Sequence, residues 1–145
     1  ANIIIPDDAI RGAYITQRNS DHYGSLSPFM RAALLGGYTK EGKEWIEALM
    51  EFSGENEKIV RDFFAENFPK VHFCRHRAGT LLWADFREMG TEEEVYAWFQ
   101  KAGVEPDLGS KYGEEGRGFL RLQIGMPKRE LIYALERIKK AYVKE

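Results

Sequence analysis

The sequence is poor in cysteine and has no long apolar run. Of its 145 residues only Cys74 is a cysteine, so no intrachain disulfide can form and a reducing, cytoplasmic setting is expected. No apolar stretch approaches the length of a membrane span, and no signal-peptide pattern is recognisable. These absences exclude a disulfide-stapled secreted domain and predict no contact with a membrane.

An excess of charge of one sign is also absent. The 21 basic and 23 acidic residues leave a formal net charge of -2 at pH 7, and no polybasic stretch is present. Nucleic acid is therefore not an expected partner. The hydrophobic fraction of 43%, with 13% aromatic residues, is enough for one ordinary core, so a soluble globular protein is predicted.

The first residues have the character of a buried strand. The apolar run Ile3–Ile5 before Pro6 predicts a strand that starts near Ala1 and is covered on both faces. Such a strand needs neighbours, whereas the other strand-like segments lie beyond several helices. The sequence also begins without methionine. Both observations favour a piece of a larger protein, although removal of an initiator methionine would explain the second equally well.

Helix signals follow without a strand between them. Asp7 can cap a first helix, and Ser27 followed by Pro28 is typical of the start of a second helix, which two glycines end. A third run keeps one helical phase over two heptads, which predicts a single helix from about Glu41 to Asn67. Its apolar positions are Trp45, Leu49, Phe52, Ile59 and Phe63. Two helices meeting at Gly54 are the alternative.

After Pro69 the pattern changes to short strands that alternate with helices. Val71–Phe73 and Thr80–Phe86 predict a hairpin, and Thr91–Glu94 is a capping box whose glutamates complement the dipole of the following helix. A further strand follows a glycine-rich loop, and Pro127 opens a last helix. The predicted fold class is α+β, with a small antiparallel sheet of about three to four strands covered by helices on one side and preceded by the long helix.

The strand after the glycine-rich loop carries one arginine, Arg121. Period two places it on the face opposite Leu120 and Leu122. A guanidinium needs an anionic partner, and arginine is the side chain best shaped to hold a carboxylate by two parallel hydrogen bonds. Arg121 is therefore either a carboxylate-binding residue of a ligand site or half of an ion pair with an acidic neighbour on an edge strand. Structural ion pairs are the commoner case.

Other candidate residues have structural interpretations. Three potential zinc ligands alternate on the first strand of the hairpin: His72, Cys74 and His76. Their spacing is not typical of zinc sites and a fourth ligand is missing, so a partly exposed edge strand is favoured and no metal is predicted. Asp85 could be a catalytic carboxylate, but a cap of the following turn is favoured. Ser110 next to Lys111 has no neighbouring base, which favours a solvated loop over a nucleophile.

Taken in order, these segments resemble a known family. Thr80–Arg87, followed by a helix and then Gly109–Leu122, is similar to the C-terminal portion of fold-type-I pyridoxal-phosphate enzymes. The resemblance is greatest to the cystathionine beta-lyase subgroup of the class I and II aminotransferases. Upstream, Ile3–Asp7 and Gly42–Leu49 are similar to the strand after the cofactor lysine and to the long interdomain helix. The similarity therefore runs nearly from end to end.

The resemblance implies specific roles. The arginine with which the family binds the substrate α-carboxylate falls on Arg121, and the loop with Gly109, Ser110 and Gly113 borders the substrate. The Schiff-base lysine and most residues that bind pyridoxal 5'-phosphate would precede Ala1. The resemblance thus places no catalytic residue in this chain and leaves its cofactor-binding residues unknown.

The same resemblance implies a domain division and a function. Residues 1–40 would be a remnant of the large cofactor-binding domain, 41–68 the interdomain helix, and 69–145 the small C-terminal domain. The intact protein would be a homodimeric, cytoplasmic aminotransferase or C–S beta-lyase acting on amino acids, and this fragment alone would be inactive. The alternative is a stand-alone α+β module that binds a small carboxylate or a protein partner and is not an enzyme.

Overall fold

The computed structural model describes residues 3–24 and 27–142. Five helices and four strands occur in this part of the chain, and two 3-10 turns, Gly109–Tyr112 and Glu114–Gly116, follow the third strand. The elements in chain order are α1 (Asp8–Ser20), α2 (Pro28–Gly37), α3 (Lys40–Asn67), β1 (His72–Phe73), β2 (Leu81–Asp85), α4 (Glu92–Lys101), β3 (Asp107–Leu108), β4 (Phe119–Gln123) and α5 (Lys128–Ala141). The chain divides into two compact units, residues 1–45 and 46–145.

Local capping defines the helices of the first unit. The Asp7 carboxylate accepts a hydrogen bond of 2.8 Å from the amide of Ile10 and starts α1. The Ser27 hydroxyl accepts one of 3.2 Å from the amide of Met30 and starts α2, with Pro28 at its first position. Both predicted helices are therefore confirmed. Asp7 and Ser27 start them because the backbone amides of a first helical turn have no partners within the helix.

The predicted opening strand is wrong for the residues that the structure describes. Ile3–Ile5 has no secondary structure, and Ile4 is 86% exposed. A strand needs a partner for its backbone hydrogen bonds, and no strand of the described chain pairs with this segment. The apolar run alone was therefore an insufficient signal. The remaining positions of that prediction, Ala1 and Asn2, lie outside the described residues.

The second unit is built on a four-stranded antiparallel sheet. Its strand order is β1-β2-β4-β3, so β2 and β4 are central and the other two are edges. The hairpin of β1 and β2 is as predicted, and Phe73 lies opposite Ala84. The single helix predicted from Glu41 to Asn67 is also confirmed as α3, with Gly54 in its interior. The α+β class with a small antiparallel sheet is therefore the observed one.

Helices cover one face of this sheet. Ala84, Leu120 and Leu122 point inward and are at most 9% exposed. The aromatic centre of the core is Phe64 of α3, whose ring lies 5.4 to 5.8 Å from the rings of four other phenylalanines. The buried apolar side chains are Val60, Phe64, Phe68, Val71, Leu82, Ala84, Phe86, Val95, Trp98, Phe99, Ala102, Leu120, Leu122, Ile124, Leu131, Leu135 and Ile138.

One buried amide ties α3 to the end of β4. Asn56 is fully buried, and its Nδ2 donates to the carbonyl oxygens of Ile124, at 2.7 Å, and Met126, at 2.8 Å. Both carbonyls follow β4, where the sheet no longer supplies donors. Asn56 therefore supplies the donor for the Met126 carbonyl and a second donor for the Ile124 carbonyl, which also accepts from the amide of Met126 at 2.9 Å.

None of the helices in the described part of the chain combines the length and the apolar character that a bilayer crossing requires.

Candidate functional site

Arg121 lies on a central strand and projects from the sheet face opposite the core. In the sheet register it is directly opposite Trp83 of β2 and Asp107 of β3. Directly opposed residues of antiparallel strands share a face, so these three side chains emerge side by side. The sequence analysis considered an ion pair on an edge strand. The ion pair exists, but β4 is not an edge, because β3 covers its outer side.

Asp107 and Tyr112 hold the guanidinium of Arg121. Oδ2 of Asp107 accepts hydrogen bonds from Nε, at 3.0 Å, and Nη2, at 2.5 Å. Cζ of Arg121 lies 5.1 Å from the centre of the Tyr112 ring. The hydrogen bond from Arg121 lowers the pKa of Asp107, so this carboxylate is ionised at neutral pH. Lys111 adds a second cation 3.6 Å from Oδ1 of Asp107.

Aromatic rings surround the arginine. Trp83 stacks on Phe119 with ring centres 5.7 Å apart and planes 15° from parallel. Tyr112 approaches Trp83 edge-on, with a centre distance of 5.6 Å. These rings give the carboxylate-binding candidate an apolar border, which strengthens a charge interaction by excluding water. They also connect the glycine-rich loop to the central strands.

The loop from Gly109 to Gly118 is held closed by its glycines. A Cβ atom on Gly109 would lie 2.0 Å from the carbonyl oxygen of Gly116, and one on Gly116 would lie 2.2 Å from that of Gly109. The two backbones can approach this closely because neither residue has a side chain. Gly113 and Gly118 have φ angles of 129° and 82°, which also favour glycine. The turn brings Ser110 and Tyr112 toward the sheet.

A buried glutamate anchors both ends of this loop. Glu92, the first residue of α4, is 6% exposed, and its Oε2 accepts from the amides of Gly118, at 3.0 Å, and Ser110, at 3.3 Å. Burial raises the pKa of Glu92, but the hydrogen bonds from Ser110 and Gly118 outweigh it, and the net pKa is lowered. This role was not predicted from the sequence. Glu92 belongs to a run of three glutamates, and nothing in the run distinguishes the buried member.

The other candidate residues lie apart from Arg121. His72 pairs with Glu88 at 3.6 Å, whereas Nδ1 of His76 lies 2.6 Å from Oε2 of Glu57. No cluster of three or more potential metal ligands occurs in the described residues. Asp85 accepts a hydrogen bond of 3.0 Å from the amide of Arg87, which confirms its interpretation as a turn cap. His76 therefore holds the hairpin loop against α3, whereas His72 forms an exposed pair.

The described residues fit a carboxylate contact and do not form a pocket for pyridoxal 5'-phosphate. This cofactor attaches to a lysine whose ammonium must lose its proton, which desolvation favours. Every lysine in the described part of the chain is exposed. Lys111, the lysine of the loop, is 58% exposed and paired with Asp107. What the described residues bring together is the candidate cluster of Arg121, Asp107, Tyr112 and Trp83.

The chain is similar to several characterised proteins, although no family model matches it. It is 33% identical to the cystathionine beta-lyase PatB of Bacillus subtilis over 96% of this chain and 36% of that protein. It is 30% identical to the protein MalY of Escherichia coli over 88% of this chain and 33% of that protein. The chain therefore spans about a third of the length of the curated relatives it matches.

Solved structures agree with these relatives. Cystalysin of Treponema denticola, a structure containing pyridoxal 5'-phosphate, superimposes with a TM-score of 0.86 at 28% identity, over 97% of this chain and 36% of that one. A pyridoxal-phosphate-bound putative aminotransferase of Clostridium difficile gives a TM-score of 0.85 at 26% identity, over 95% and 36% of the two chains. The chain therefore matches a C-terminal portion of the fold-type-I pyridoxal-phosphate-dependent enzymes and, among them, of the cystathionine beta-lyases.

Proposed function

We propose that the whole protein is a pyridoxal-phosphate-dependent enzyme acting on amino acids, as a C–S beta-lyase or an aminotransferase. In this proposal the chain contributes the residue that binds the substrate α-carboxylate, Arg121. The observation that carries it is the placement of an arginine on a central strand, one-third exposed and bordered by aromatic rings. The relatives named above support the class of chemistry.

Arg121 would act by orientation. Two parallel hydrogen bonds from a planar guanidinium fix both the position and the rotation of a bound carboxylate. Holding the α-carboxylate in this way fixes the α-carbon, and with it the direction of the bond to be broken. The loop residues Gly109, Ser110 and Gly113 would border the same substrate. The chain itself would supply binding and orientation, and the cofactor lysine would come from the rest of the protein.

The proposal extends to the organisation of the whole protein. Residues 1–40 would be part of the large domain, 41–68 the interdomain helix and 69–145 the small domain of a homodimeric, cytoplasmic enzyme. The first unit supports this division, because it exposes large apolar side chains and none of its described residues is buried. Surfaces of this kind are typical of contacts with another part of a protein. The exposed thiol of Cys74 agrees with a reducing compartment.

Replacement of Arg121 in the whole protein tests the central assignment. Arg121→Ala is expected to raise KM for an amino-acid substrate such as L-cystathionine about 10- to 100-fold, because charge-assisted hydrogen bonds to the carboxylate are lost. Arg121→Lys keeps the positive charge but cannot form two parallel hydrogen bonds, so its KM should lie between those of the unchanged protein and Arg121→Ala. Release of a thiol would indicate lyase activity, and formation of the oxo acid of the intact substrate would indicate aminotransferase activity; the two products are measured separately.

Arg87→Ala is the matched control for that experiment. Arg87 is an arginine of the same sheet region, 62% exposed, and its guanidinium lies over the Phe119 ring instead of beside Asp107. It should change KM less than twofold, as expected for an exposed charge outside the site. Unchanged kinetic constants in Arg121→Ala would contradict the proposed function.

A further inference from the structure

We propose that Asp107 is a positioning residue of the carboxylate site, which holds one edge of Arg121 so that the other edge meets the substrate. The inference rests on the proposed function, because it takes Arg121 as the carboxylate-binding residue. It assigns a role to a side chain that the sequence analysis left without one. The role depends on which atoms of the guanidinium Asp107 engages.

A guanidinium has two edges that can each bind a carboxylate. One consists of Nε and Nη2, and the other of Nη1 and Nη2. In Arg121 both atoms of the first edge donate to the same oxygen of Asp107, Oδ2, at 3.0 and 2.5 Å. No hydrogen bond to Nη1 occurs within the described residues. Asp107 therefore fills the side edge and leaves the terminal edge for an incoming carboxylate.

The backbone fixes Asp107 as firmly as it fixes Arg121. The two residues are direct partners in the β3–β4 ladder, so the strand pairing sets the distance between their side chains. Lys111 lies 3.6 Å from the other oxygen of Asp107, Oδ1. Tyr112 lies against the guanidinium. A long, flexible arginine thus has few orientations left, which reduces the entropy that substrate binding would otherwise cost.

The charges of the site match a ligand with one negative charge. Arg121 and Lys111 carry two positive charges, and ionised Asp107 compensates one of them. A carboxylate at the terminal edge of Arg121 would neutralise the remainder. Without Asp107 the arginine would lose the orientation that presents its terminal edge to the ligand. A change at Asp107 should therefore weaken carboxylate binding without removing the arginine.

The test compares ligands with and without a carboxylate in the whole protein. Asp107→Ala is expected to raise KM for the amino-acid substrate about tenfold and to lower kcat by a smaller factor, because a misoriented arginine binds the carboxylate less well and orients the reacting bond less well. Affinity for the corresponding amine, which lacks the α-carboxylate, should stay the same. Asp107→Glu keeps the negative charge and should recover part of the loss. A role confined to holding β3 against β4 would affect both ligands equally.

Asp85→Asn is the matched control. It weakens the pair of Asp85 with Arg87, another aspartate–arginine pair of the same sheet, in which Asp85 caps a turn. It should leave both ligands unaffected. If Arg121→Ala raises KM and Asp107→Ala does not, the role of Asp107 is refuted and the carboxylate site stands. If neither changes KM, the proposed function itself fails. If Asp107→Ala does not fold, the isosteric variant Asp107→Asn replaces it in the test. Its KM should rise about threefold, because a neutral amide forms a weaker hydrogen bond with Arg121. An unchanged KM would refute the role of Asp107.

Discussion

The two units of the chain differ in what happens to their large apolar side chains. Residues 46–145 place many of theirs in one aromatic core, with Phe64 and Phe86 fully enclosed. In the described part of residues 1–45 no residue is buried, and Phe29 and Leu35 are 87% and 61% exposed. Both units nevertheless form regular helices. Helix formation in this chain therefore follows local sequence signals, whereas burial depends on partners that only the second unit contains.

The largest expected effect is at the centre of the core. Phe64→Ala should reduce the free energy of unfolding of the second unit by about 3–5 kcal/mol, because it removes a fully buried ring and leaves a cavity. Urea denaturation followed by tryptophan fluorescence measures this loss. Phe29→Ala, the same change at an exposed position of the first unit, should stay within about 0.5 kcal/mol. Equal losses for the two variants would contradict the difference between the units.

The next effect concerns a buried polar contact of the second unit. Asn56→Ala should reduce the free energy of unfolding by about 2–3 kcal/mol, since it removes two buried hydrogen bonds and leaves the carbonyl of Met126 without its donor. Thermal unfolding followed by circular dichroism provides the measurement. The control is Asn19→Ala in the first unit, at an exposed asparagine whose amide contributes no buried bond. A cost at Asn19 as large as that at Asn56 would show that burial is not the deciding factor.

A pH-dependent effect is expected at Glu92. Its pKa is lowered in the folded chain, so its stabilising contribution is complete above the pKa of the unfolded chain, about 4.3, and is lost as the pH falls through the lowered value. Glu92→Gln should cost about 1–2 kcal/mol at pH 7 and much less in acid, because the uncharged amide accepts weaker hydrogen bonds from the loop amides. Denaturation at several pH values measures this. A cost that is independent of pH would contradict the role of the ionised carboxylate.

The smallest effects distinguish the units by their helix caps. Thr91 and Ser27 each accept a hydrogen bond from a backbone amide of the first turn, of α4 and α2 respectively. Thr91→Ala should lower the unfolding free energy of the second unit by about 1 kcal/mol. Ser27→Ala should lower the helix content seen by circular dichroism and leave that unfolding transition unchanged. A shift of the same transition by Ser27→Ala would indicate that the units unfold together.

The success of sequence reasoning depended on how far apart the contacting residues are. Capping residues and helical phase are local, and the predictions for α2, α3 and α4 were correct. The apolar run at Ile3–Ile5 predicted a strand wrongly, because pairing needs a partner that periodicity cannot supply. The site divides in the same way. A resemblance to a family pointed to Arg121. Asp107, which contacts Arg121, lies 14 positions before it in the sequence, and Glu92 lies 26 positions before its loop partner Gly118. Sheet register and turn geometry bring these residues together, and neither can be read from a local pattern.

The interlocked glycines of the loop determine which of its positions can vary. At Gly109 and Gly116 an added Cβ would meet backbone atoms, which cannot move aside as a flexible side chain can. A side chain at either position would therefore force the two backbones apart and open the turn. The exposed side chains of the loop, Lys111, Tyr112, Glu114, Glu115 and Arg117, are free of this constraint. Substitutions at the charged positions among them can therefore change the charge of the loop while the path of its backbone stays constant.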